Sequence, residues 1–184
     1  MTTTQDLNPS TFILREVTPA EKVACWRANS TSWAGKLTID DYIGRETVNG
    51  SGDLLRNGGI RYWGFTAPLT DGSTGDQEIY AAVESIRKPV VVRTSDGGFS
   101  VEWSYAAASV FTPVKYRGKK VAAWIMRRLG EWFDSEEASC RFSVLYSDVG
   151  VYNSPIRRCL FLTDKQLRLT GILLPSWMAF FPIL

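Results

Sequence analysis

The chain has 184 residues, 45% apolar and 22% charged, with a net charge of +2. That is the composition of one soluble globular domain able to bury a sizeable core, and so small a charge gives no case for nucleic acid or an anionic membrane surface as partner. The absence of histidine excludes His-dependent triads and His/Cys zinc sites, so no metal is expected. Three cysteines without a CxxC spacing, Cys25, Cys140 and Cys159, fit reduced thiols in a cytoplasmic protein.

Residues 1 to 10 read as a flexible tail without an apolar signal core. Thr11 to Val17 alternates apolar and polar residues as a first strand does. Thr18-Pro19-Ala20-Glu21 carries a cap, a first-turn proline and a reciprocal glutamate, which start a helix running to about Asn29. Ser30 to Gly35 reads as a break, and Thr38 caps a second helix ending near Thr47. Ile60 to Thr66 is an aromatic-rich strand, followed by a turn-rich loop at Thr70 to Asp76. Ile79 to Glu84 and Val90 to Arg93 form one bent strand or two, divided at Lys88-Pro89. Ser95-Asp96-Gly97-Gly98 marks a hairpin. Phe99 to Thr112 is a further strand, Gly118 to Phe133 a helix, and Arg141 to Tyr146 a last strand. No apolar run reaches the ~20 residues that span a bilayer.

Residues 110 to 133 carry the most information. An apolar strand stops at Pro113, a basic turn follows from Lys115 to Lys120, and then comes an amphipathic helix. Its apolar face is expected to hold Ala122, Ile125, Met126, Leu129 and Phe133. A strand that breaks at a basic turn and feeds a helix can hold an anion, because the first helical turn offers unpaired N–H groups and the positive end of the dipole. The same residues also read as a merely solvated turn.

The run Arg117-Gly118-Lys119-Lys120-Val121-Ala122 resembles the Arg/Gln-x-x-Gly-x-Gly/Ala motif of the GNAT superfamily of acyl-CoA N-acetyltransferases. Arg117 and Ala122 match; Lys120 stands at the central glycine. The words Val-Phe-Thr-Pro, Tyr-Arg-Gly-Lys, Leu-Gly-Glu-Trp and Ser143-Val-Leu-Tyr-Ser-Asp-Val-Gly150 resemble those of fungal lysine N-acetyltransferase-like proteins, over roughly residues 10 to 150. The resemblance implies an α/β fold: a mixed, mostly antiparallel sheet flanked by helices. It implies acetyl-CoA as cosubstrate and a small-molecule amine, such as free lysine, as acceptor. It implies that Val110, Phe111 and Thr112 offer a strand edge to pantetheine, and that the backbone of Arg117, Gly118, Lys119, Lys120, Val121 and Ala122 cradles the pyrophosphate. A lysine at position 120 either obstructs the phosphate with its Cβ or adds a charge-assisted contact.

After Gly150 the family pattern is not followed. Pro155 falls where a helix is expected, and Gly171 to Leu184 is largely apolar. The expected domain is therefore 11–150, C-terminally truncated relative to the family, with 151–184 an atypical tail from a truncated or mis-spliced reading. The resemblance also implies a tyrosine, on the helix after the last strand, that protonates the leaving thiolate. No residue here matches it, and Tyr146 reads as a packing residue. An amine acceptor needs a base, and with histidine absent a carboxylate is the usual one; the strand residues Glu84 and Glu102 are the candidates. Trp26, Trp33, Tyr62, Trp63, Trp103 and Tyr105 either line an acceptor pocket or, as is commoner, form the core. The alternative to an enzyme is a fragment that at most binds CoA.

Overall fold

The computed structural model describes residues 7–53, 55–67, 77–141 and 143–145. Its elements in chain order are β1 (Ile13–Glu16), α1 (Pro19–Trp33), α2 (Ile39–Asn49), β2 (Ile60–Thr66), β3 (Ile79–Arg93), β4 (Phe99–Phe111), α3 (Val121–Phe133) and β5 (Ser143–Leu145). The five strands form one sheet in sequence order. The first four pair antiparallel, and β5 lies parallel to β4. Only that last connection must cross over the sheet, and α3 is the crossover.

The helix starts follow from local chemistry. Thr18 accepts from the Glu21 amide while the Glu21 carboxylate accepts from the Thr18 amide. The same carboxylate takes both ends of the Arg15 guanidinium, at 2.6 and 2.9 Å, so one side chain caps α1 and ties it to β1. Thr38 caps α2 through the Asp41 amide.

Helix α1 continues through the stretch expected to break at Ser30, ending at Trp33. Asn29 and Ser30 are buried, and the Asn29 side chain accepts from the Tyr42 hydroxyl at 2.8 Å, so tertiary contacts override weak helix propensity. Strand β3 is continuous across Pro89, which pairs with Trp103. Strand β2 pairs only as far as Ile86, so the missing N–H of Pro89 falls on an open edge. Order also begins earlier than Thr11: Pro9–Thr11 form a 3₁₀ turn, and Ser10 O accepts from Arg128 of α3 at 3.0 Å. The loop at Thr70 to Asp76 lies outside the described residues, as do Tyr146, Cys159 and the segment 151–184.

Side chains alternate across the sheet and divide the interior in two. On one face Trp63, Phe65, Val83, Tyr105 and Ala107 pack against Val121, Ile125, Leu129 and Phe133 of α3. That stripe has Val121 where Ala122 was expected, because four-residue steps back from Phe133 land on position 121; Ala122 is exposed. On the other face α1 and α2 cover the sheet with a smaller cluster of Trp26, Ala34 and Tyr42, joined by Trp33 and Tyr62.

The Arg15 pairing holds the Glu21 carboxyl down at about 2, against an ordinary 4.5. A carboxyl lowered by folding stabilises the fold fully above its unfolded pKa and loses that contribution as acid protonates it. Urea midpoints measured against pH should therefore fall as pH drops from about 4.5 toward 2, and Glu21→Gln should flatten that part of the curve.

Candidate active site

Near the end of β4 the ladder with β3 slips by one residue. Glu84 pairs with Ala108, yet Ala82 pairs with Phe111, so Val83 on β3 faces two residues, Ser109 and Val110, on β4. Ser109 takes the extra position with φ +52°, a left-handed bulge in a residue other than glycine. Strand β5 pairs with β4 only at Tyr105 to Ala107. Among the described residues, therefore, β4 has no ladder partner on its β5 side from Ala108 to Phe111. Just beyond, Thr112 Oγ1 is buried without a hydrogen-bond partner among the described residues.

The chain then turns at Pro113 through a 3₁₀ turn, Val114–Tyr116, and enters α3 by way of two left-handed residues, Gly118 (φ +77°) and Lys120 (φ +61°). A Cβ on Gly118 would meet nothing within 4 Å, so the loop faces open space there. Lys120 supplies a left-handed conformation, one of the two jobs a glycine could do at that position, and its side chain is exposed. No side chain caps the first turn of α3, which leaves its N–H groups for an outside acceptor. The Val121 side chain is buried in the core, so only its backbone can serve the loop. Arg117 folds back, donating to Thr112 O at 3.0 Å with its guanidinium over Phe111. Lys115 pairs with Glu78, and that salt bridge occupies one charge of the basic cluster.

The bulge has a second consequence. Ser109 Oγ donates to Glu84 Oε2 at 2.9 Å, fixing that carboxyl in a small cavity between the sheet and α1. Lys22, Cys25, Trp26, Asn29 and Tyr62 are among the residues that line it. Its volume is about 20 Å³, enough for one water molecule. Burial raises the Glu84 pKa and outweighs the hydrogen bond from Ser109, which lowers it; the nearby Glu46 charge raises it further. The Trp26 indole N–H faces the same carboxyl and favours its charged form, without reaching normal hydrogen-bond geometry. Tyr62, opposite Glu84 on β2, is pushed up by burial and then by the charges of Glu84 and Glu46. Burial pushes the Cys25 thiol up to about 11, so it is a protonated bystander rather than a nucleophile at neutral pH.

The two candidate carboxylates are therefore not equivalent. Glu102 lies toward the hairpin end of β4, accepts from Ser100 at 2.9 Å and pairs with Arg141 at 3.2 Å; it is a structural ion pair, away from the bulge at Ser109. Of the six aromatic residues, Trp63 and Tyr105 belong to the main core, while Trp26, Tyr62 and Trp33 belong to the cluster beside the cavity. Trp103 lies under the Arg87 guanidinium on the projecting hairpin. The left-handed Ser109 and its bond to Glu84 were not read from the sequence, because nothing in Ala-Ala-Ala-Ser-Val marks a bulge. Among the described residues no cluster of metal-ligating side chains occurs, and no helix is long and apolar enough to cross a membrane.

An antiparallel half-sheet, a bulged fourth strand, a helical crossover and a parallel fifth strand make up the GNAT N-acetyltransferase fold. The chain is similar to a GCN5-related N-acetyltransferase from Kribbella flavida, with 20% identity, a TM-score of 0.51, and coverage of 76% of this chain and 31% of that one. It is similar also to a possible acetyltransferase from Clostridium difficile 630, with 16% identity, a TM-score of 0.50, and coverage of 78% and 84%. In sequence it is 28% identical over 158 residues to a lysine acetyltransferase of Yarrowia lipolytica, covering 76% of this chain and 38% of that relative. The chain thus spans well under half the length of that protein. No protein-family model matches it.

A non-glycine residue held left-handed costs about 1–3 kcal/mol, so the loop carries a testable strain. Lys120→Gly should leave stability unchanged or raise it by about 1 kcal/mol, after glycine's own backbone entropy is set against the relief. Lys120→Val, β-branched, should lower it by about 1–2 kcal/mol. Urea denaturation with an unchanged m-value measures both, and equal losses in the two variants would contradict the left-handed turn.

Proposed function

We propose that this chain is an acetyltransferase domain that moves the acetyl group of acetyl-CoA to a primary amine, with Glu84 as the base. The observation that carries the reading is the bulge at Ser109. It presents a half-buried carboxyl of raised pKa beside the stretch of β4 from Ala108 to Phe111, which has no ladder partner on its β5 side among the described residues. In this reading the backbone from Val110 to Thr112 pairs with the pantetheine amides, and Thr112 Oγ1 offers a further partner there. The backbone of Arg117, Gly118, Lys119, Lys120, Val121 and Ala122, at the uncapped start of α3, holds the pyrophosphate. The left-handed backbone at Lys120 supports tolerance rather than obstruction, with the exposed ammonium free to add charge.

Glu84 takes the proton that an ammonium must lose before it can attack a thioester. It does so directly or through the one water the cavity accommodates. A carboxyl whose pKa is raised by burial is a stronger base than an exposed one, and the Ser109 hydroxyl keeps it oriented. Cys25 takes no part, so the acetyl group passes to the amine in one transfer rather than through an acyl-cysteine. The Yarrowia relative is described as a lysine acetyltransferase, and free lysine is the acceptor proposed here. The Cys25 and Cys140 thiols suit a reducing compartment such as the cytoplasm.

The size of the cavity favours a second reading, in which the chain binds CoA without transferring an acetyl group: one water fits, an amine side chain does not. Thiol release from acetyl-CoA in the presence of free lysine separates the two. Release supports transfer. A rise in melting temperature with CoA but no release identifies a binding remnant.

If transfer occurs, Glu84→Gln should lower kcat/KM by about 10²–10⁴-fold while leaving the CoA-induced rise in melting temperature intact. The wild-type rate should fall on acidification, as the base protonates at a pKa above the ordinary 4.5, and the variant should lack that acid limb. Unchanged kcat/KM in Glu84→Gln would remove the carboxyl from the mechanism.

A further inference from the structure

Lys22, in the first turns of α1, is half-buried and lines the cavity. Its Nζ lies 4.7 Å from the centre of the Tyr62 ring and 5.1 Å from that of Trp26. The two rings meet edge to face with centroids 5.6 Å apart, and Tyr62 is the direct cross-strand partner of Glu84. A primary ammonium on a flexible four-carbon stem is therefore already held by two aromatic faces at the wall of the carboxyl's cavity. Cation–π contacts of this kind contribute about 0.5–2 kcal/mol, enough to bias where the amine rests and too little to lock it there. Among the described residues, Lys22 is the lysine that lines this cavity; Lys36 and Lys120 are exposed, and Lys115 is paired with Glu78.

The aromatic pair and the carboxyl are the features that would select a primary aliphatic ammonium, and the chain supplies one of its own. We propose that Lys22 is a site of self-acetylation, its Nζ standing at the acceptor position and receiving the acetyl group when no free amine competes. The inference rests on the acetyltransferase reading above. In the step, Glu84 accepts a proton from the Lys22 ammonium through the one water the cavity accommodates. The neutral amine attacks the thioester carbonyl, a C–N bond forms and the C–S bond breaks. The sulfur leaves with the electron pair and becomes the thiol with the proton that Glu84 took up, which restores the carboxylate, and the second proton lost by nitrogen passes to solvent. The product is an amide with no charge to place over the rings, so the modification removes the cation that now contacts Tyr62 and Trp26.

The test uses the full 184-residue chain with acetyl-CoA and no added amine, followed by peptide mass spectrometry. Lys22 should be acetylated at least about tenfold faster than exposed Lys36, and Glu84→Gln should slow Lys22 labelling by at least about tenfold. Acetic anhydride should still modify Lys22 in that variant, which shows that the side chain remains reachable and the comparison valid. Labelling of Lys22 no faster than Lys36, or equal labelling with and without the Glu84 carboxylate, overturns the proposal. A parallel reaction with free lysine tells apart the two ways of failing. Thiol release with free lysine but no mark on Lys22 overturns self-acetylation alone; no release under either condition overturns the acetyltransferase reading with it.

Discussion

Between Glu84 and Ala82 the β3–β4 ladder takes in one extra residue, and Ser109 absorbs it by turning left-handed. A serine costs more than glycine in that conformation, but it brings a hydroxyl, and the hydroxyl is bonded to Glu84. Among the described residues β5 pairs with β4 from Tyr105 to Ala107, just before the bulge. The same residue thus interrupts the ladder and holds a carboxyl beside the interruption. Moving the bulge by one position would turn Ser109 to the other face of the sheet, because side chains alternate with a period of two.

The two faces of the sheet do different work around that point. Adjacent residues on β3 show the division: Ser85 is buried on the α3 side, where it accepts from the Trp63 indole N–H at 2.9 Å, and Glu84 points to the α1 side. The α3 face is a close-packed apolar core that fixes the angle at which the helix leaves the Gly118–Lys120 turn. The α1–α2 face is thinner, built from aromatic residues with polar tips, and it retains a cavity.

Much of this was legible in the sequence because it is written in local chemistry. The Thr18–Glu21 capping box, the Thr38 cap, the aromatic strand Ile60–Thr66 and the hairpin at Gly97 each rest on side chains within a few residues of one another. The resemblance to GNAT proteins was legible for the same reason, through the basic turn and the helix that follows it. What could not be read was set by partners distant in the chain. Helix α1 runs past Ser30 because Tyr42 bonds Asn29 from another helix. Pro89 sits inside a strand because β2 ends before reaching it. The choice of Glu84 over Glu102 depends on a bulge and a salt bridge to Arg141, neither of which leaves a pattern in the residues around them. Lys120 was ambiguous as a letter and becomes interpretable as a dihedral angle.

The coupling of bulge to carboxyl is the centre of this account, and the most direct measurement is a ¹³C NMR titration of the Glu84 side-chain carboxyl in the folded protein. The midpoint should lie above the ordinary 4.5 because burial outweighs the hydrogen bond, and Ser109→Ala should move it higher still, since the Ser109 bond favours the charged form. A midpoint at or below 4.5, unmoved by loss of the Ser109 hydroxyl, would contradict the account.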